Sequence, residues 1–143
     1  MAVRFHKADI AFRVPKSMLL KTFLPAQFFQ STQKKLNLDC VFCSDEYLLH
    51  VNRNFLQHDY YTDIITFPLE ETERLVTAEI YISIDRVREN AALNKVAFNN
   101  EFQRVLFHGV LHLCGYGDKT NKEAKRMRSM EDQWIRDFSA FIG

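Results

Sequence analysis

The run LVTAEIYISI, residues 75–84, places Val76, Ala78, Ile80, Ile82 and Ile84 at every second position. That period of two belongs to a strand with one face buried. A second β-rich run, TDIITFPL, ends only five residues earlier. Two strands in direct succession, within a chain whose other apolar segments repeat with helical spacing, point to an α+β fold of mixed α/β layers. We expect a roughly four-stranded mixed sheet and about five helices. At 143 residues the chain fits one domain, residues 1–143, with no repeat, linker or low-complexity tract.

The remaining elements follow from local signals. DIAFRV with its flanks, residues 8–14, alternates as a first strand. Pro15 opens a helix, KSMLLKTFLPAQFFQSTQKKL, that Pro25 either breaks or kinks. VFCS reads as the second strand, and Ser44 or Asp45 caps a helix through EYLLHVNRNFL. Asp85 is placed to cap RVRENAALNKV, and Asn99 to cap NEFQRVLFHGVLHL, which Gly115 ends. Thr120 and Glu123 have the spacing of a capping box for the last helix, NKEAKRMRSMEDQWIRDFSAFI.

Composition excludes several classes. The chain is 47% hydrophobic and 13% aromatic, which supports a packed core and argues against disorder. No apolar run approaches the roughly 18 residues of a membrane span. MAVRFHKADIAF lacks the apolar segment and cleavage site of a signal peptide, so a cytoplasmic protein is expected. Three cysteines fit a reducing compartment. Cys40 and Cys43 form a CxxC, but on a strand their side chains point to opposite faces, so we read two packed thiols rather than a metal or redox pair. A net charge of +1 rules out a bulk polycation, leaving KTNKEAKRMR, residues 119–128, as the one basic patch for nucleic acid; alone it also reads as a solvated helix face.

The segment RVLFHGVLHLCGYGDKT carries the chemistry. On a helix His108 and His112 lie one turn apart on one face, close enough for both imidazoles to reach one ion. With five histidines in the chain, chance supplies about 0.14 such pairs. Gly115 and Gly117 permit a sharp reversal that brings Asp118 back beside the pair. Two imidazoles and a carboxylate would leave a tetrahedral ion one open position. The alternative is a pair of core histidines, at a desolvation cost with no evident partner. Gly109 stands where a zinc protease of the HExxH kind has its glutamate base, which excludes that class.

HGVLHLCGYGDKT resembles the signature HGxLHLxGYDH of the YbeY family, metal-dependent endoribonucleases of ribosomal RNA maturation. VNRNFLQHDYYTDIITFP resembles the family's LNxxYRxxDxPTDVLSFP, AEIYIS stands where it has GDIxIS, and Met127 and Glu131 match its trailing MxxxE. The likeness spans residues 51 to about 135. It implies a single-strand-specific endoribonuclease in 16S rRNA maturation and ribosome quality control, with ribosomal particles as partners and no membrane. It implies zinc held by His108, His112 and Asp118. Thr62 and Asp63 would line the cleft or merely turn the chain into the third strand, and we read Glu79 as the general base or an exposed strand carboxylate. Tyr116 would stack on a base or pack on its own helix, and Lys119 or Lys125 would contact phosphate.

The departures matter. Asp118 replaces the family's third histidine, which lowers the site's charge from +2 to +1. We therefore expect a less acidic bound water and weaker preference for zinc over harder divalent ions. Leu56 occupies the place of the family's arginine. Two other readings remain: a ribosome-associated RNA-binding factor that keeps its metal for stability, and a metallohydrolase of small substrates.

Overall fold

The computed structural model describes residues 2–143. In chain order the elements are β1 (Val3–Lys7), α1 (Ser17–Thr32), β2 (Lys35–Cys43), α2 (Asp45–Leu56), β3 (Ile64–Glu71), β4 (Leu75–Ser83), α3 (Ile84–Asn94), α4 (Phe98–Leu113) and α5 (Asn121–Ile142). The four strands form one sheet in the order β1-β2-β4-β3. β1, β2 and β4 run parallel and β3 pairs antiparallel with β4. The α+β expectation of a mixed four-stranded sheet with five helices therefore holds.

Alternation assigns each strand residue to a face. Leu36, Leu38, Cys40 and Phe42 of β2 join Val76, Ala78, Ile80 and Ile82 of β4 on one side, all buried. Against them pack Leu20, Phe23, Leu24 and Phe28 of α1, Phe102, Leu106 and Val110 of α4, and Trp134 and Phe138 of α5. The other face is covered in part by α2, whose Leu48 and Val51 meet Cys43 and Ile65. Cys40 and Cys43 thus lie on opposite faces in separate clusters. Burial pushes both thiols upward, that of Cys43 to about 12, so both are neutral and unreactive.

The structure corrects several local expectations. The first strand is Val3–Lys7, not residues 8–14, because it is the earlier segment that finds β2 to pair with. The alternation at 8–14 has another origin: Ile10, Phe12 and Val14 peg an irregular segment onto the core, with the Phe12 ring edge-on to Phe42 and Phe98. Pro25 neither breaks α1 nor ends it, and the helix stops at Thr32, where Gln33 turns left-handed (φ 64°). Lys35 and Leu36, expected in that helix, open β2.

Ser83 rather than Asp85 caps α3. The Asp85 carboxylate instead accepts the backbone N–H of Asp45 at the start of α2. Ala97 rather than Asn99 precedes α4, with no side-chain cap. Ser44 caps α2, and the Thr120–Glu123 capping box forms on α5.

Candidate metal centre

α4 lies on the sheet so tightly at Gly109 that a Cβ there would come within 2.7 Å of Ile64 Cδ1 and 3.0 Å of Ile80 Cδ1. A larger residue beside His108 would require the Ile64 side chain to shift. With the sheet against this side of the helix, His108 and His112 turn toward the cleft. The helix ends in a Schellman motif: Gly115 (φ 103°) donates to His112 O at 3.0 Å and Tyr116 to Leu111 O at 3.1 Å. The reversal brings Asp118 Oδ2 to 3.2 Å from His108 Nε2 and 3.5 Å from His112 Nε2.

Each ring is fixed from behind. His108 Nδ1 lies 2.7 Å from Glu131 Oε2, and His112 Nδ1 lies 2.9 Å from the Tyr116 carbonyl. Behind His108, the Arg104 guanidinium donates to the buried Glu131 at 3.0 Å and to Asp132 at 2.6 Å. Both partners accept only, so each imidazole carries its proton on Nδ1 and presents a lone pair on Nε2. The two Nε2 atoms face each other at 2.9 Å with the Asp118 carboxylate beside them. With both rings neutral, three acceptors converge and no donor is among them.

Such a convergence calls for a cation. Burial opposes charge on the His108 ring, but the Glu131 hydrogen bond and charge, with Asp118 and Asp63 behind, outweigh it and raise the ring's pKa. The donor set fits a metal. The contacts of 2.9, 3.2 and 3.5 Å bracket the edge of about 3.3–3.4 Å of a tetrahedron with bonds of about 2.0–2.1 Å. No other trio among the described residues gathers ligand atoms in this way.

Two clefts meet at the trio. The larger, about 610 Å³, runs between the α2–β3 loop and the α4–α5 turn and includes Thr62, Asp63 and Lys119. The second, about 410 Å³, opens between α4 and α5 and shares Asp63, His108 and Asp118 with the first. Burial raises the Asp63 carboxyl above the ordinary range, while the nearby His108 pulls it the other way.

Three expected residues lie elsewhere. Glu79 alternates with the core residues Ala78 and Ile80, so it projects on the sheet face opposite α4, level with Asp39 and Phe67. It is not positioned as a base for this site. The Tyr116 ring packs against the core beneath the Arg126 guanidinium, 5.4 Å from its centroid, in a depression separate from both clefts. Its contribution to the site is its carbonyl. Lys125 is exposed on α5 and lines neither cleft.

The structure also adds residues. Arg104 is unmarked in sequence beyond its place one helical turn before His108. Glu131 matched a motif without a role. His58 is exposed yet lines the larger cleft, its ring stacked on Tyr60 at 5.2 Å.

The sequence model of the endoribonuclease YbeY family matches residues 6–139. The endoribonuclease YbeY of Cytophaga hutchinsonii is 47% identical over 128 residues, covering 90% of each chain. That of Amoebophilus asiaticus is 41% identical over 133 residues, 93% of this chain and 90% of the relative. A solution structure of a Thermotoga maritima protein superposes with a TM-score of 0.64 at 25% identity, covering 95% of this chain and 88% of the other. A metal-competent trio on a helix-to-turn segment, the matching family sequence and the shared fold agree: the chain belongs to the endoribonuclease YbeY family.

Proposed function

We propose that this chain is a zinc-dependent endoribonuclease that cuts single-stranded RNA in the maturation of ribosomal RNA. It would work in the cytoplasm on ribosomal particles, take part in ribosome quality control, and act as one domain over residues 1–143. One observation carries the reading: two imidazole Nε2 atoms and a carboxylate oxygen converge at 2.9–3.5 Å, with both rings anchored through Nδ1. His108, His112 and Asp118 would hold the ion, with manganese as a competitor because of the carboxylate. When bound, the metal supplies a Lewis acid for a phosphodiester oxygen.

The chain's own groups do the rest. Glu131 and the Tyr116 carbonyl keep both rings in the coordinating tautomer and orientation. Asp63, buried beside His108 with a raised pKa, is the carboxyl in the cleft suited to hold or pass a proton, the part Glu79 cannot take from the opposite face. Lys119, with Thr62 on the wall of the same cleft, offers positive charge to phosphate.

The test is hydrolysis of single-stranded RNA by purified protein with zinc or manganese, beside His112→Ala. Cleavage by the parent and none by the variant is expected. Equal background from both overturns the nuclease reading, and retention of RNA without cleavage would favour a binding factor.

A further inference from the structure

Glu101 lies two turns before His108 on the stripe of α4 that faces the second cleft. Its residue is 6% exposed, yet its carboxylate makes no hydrogen bond or ion pair among the described residues. No fully enclosed side-chain polar atom there lacks a partner. The two facts together mean that the Glu101 oxygens spend their small exposure on the cleft itself. A side chain buried along its length that opens its carboxylate onto a cleft, with no protein donor, leaves an acceptor there for water or a ligand. A place in the first turn of α4 explains an acid there, but an exposed one would serve as well.

The walls narrow what could meet it. A second metal ion is disfavoured, since Glu101 gathers no further ligand atoms around it. Arg104 points at Glu131 and Asp132 and is committed to them. Arg128 is different: its side chain is 61% exposed, lines the same cleft, and has only a loose 3.9 Å approach to Glu131. The cleft therefore has an acceptor on one wall and a loosely engaged guanidinium on another, beside the metal-competent trio. At about 410 Å³ it suits one nucleotide.

We infer that this cleft is a nucleotide subsite in which Glu101 accepts the donor edge of a guanine while Arg128 holds an adjoining phosphate. The inference rests on the endoribonuclease reading. Guanine alone among the RNA bases presents two adjacent N–H donors, N1–H and the 2-amino group, to a bidentate carboxylate; hypoxanthine keeps one, and adenine's edge opposes an acceptor at N1. Arg128, contacting phosphate, adds affinity without base preference.

The experiment titrates the purified metal-bound protein with guanosine, inosine and adenosine 5′-monophosphates, following α4 amide signals by NMR. It also measures cleavage of oligoribonucleotides that differ at one position. The expected affinity order is guanosine, inosine, adenosine, with about tenfold between first and last. Glu101→Gln, of the same shape, should flatten that order and leave metal content unchanged. Arg128→Ala should weaken all three alike and lower the salt dependence of RNA binding by about one unit of slope. Equal affinities in the parent, or an unchanged order in Glu101→Gln, overturns the inference even if cleavage is intact. Guanine preference without cleavage of any RNA would uphold the subsite and defeat the nuclease reading.

Discussion

Two histidine–aspartate constellations sit on opposite faces of the same sheet, and only one is built for a metal. On the α4 side, His108, His112 and Asp118 bring three acceptors together, each ring anchored by its other nitrogen. On the partly open side, His6 Nε2 lies 2.7 Å from Asp39 Oδ1, but Arg4 already donates to both Asp39 oxygens at 2.7 and 2.9 Å, and to Asn37. There every acceptor has a donor and the group is screened by water. Residue types alone do not separate the two. What separates them is whether lone pairs remain after the neighbours have been satisfied.

Removing a converging acceptor should have the largest effect. Asp118→Ala leaves two ligands, and we expect stoichiometric metal to be lost, by elemental analysis after gentle purification. Full metal content in that variant would show that the carboxylate is not a ligand and dissolve the contrast. Glu131→Gln attacks from behind: it keeps the shape but offers His108 Nδ1 a weaker partner and leaves Arg104 paired with Asp132 alone. Metal affinity in chelator competition should fall roughly 10–100-fold. An unchanged affinity would mean that anchoring does not distinguish the two clusters.

The open-face cluster should answer to acid rather than to metal. Arg4's hydrogen bond, helped by that of His6, outweighs burial and holds the Asp39 carboxyl at about 2. Since this folded pKa lies below the unfolded value near 3.9, the contribution is present above about pH 4 and is lost as pH falls toward 2. Asp39→Asn should lower stability at pH 7 by about 1 kcal/mol after allowance for screening. The difference from the parent should vanish near pH 2 in denaturant titrations, with metal content unaffected. A deficit that persists undiminished at pH 2 would place the effect in packing rather than charge.

The elements that local chemistry dictates were legible without coordinates. The period of two in β4, the one-turn spacing of His108 and His112, the Gly115 stop and the Thr120–Glu123 box all depend on residues a few positions apart. So does the return of Asp118, because the glycine hinge is itself local. The misread segment 8–14 shows the limit: Ile10, Phe12 and Val14 alternate, but alternation reports burial on one side, not a partner for the backbone.

Sequence by itself therefore determined the α+β element order, the metal-competent trio and, through its motifs, the family. Tertiary structure alone decided which face of β4 carries Glu79, that the Tyr116 ring belongs to Arg126, and that Arg104 and Glu131 stand behind His108. It also decided that Glu101 opens onto the cleft. The physical reason is range. Backbone preference and helical spacing act over a turn or two, whereas a second contact behind a ligand joins α4 to α5 across 23 residues and exists only once both helices pack on the sheet.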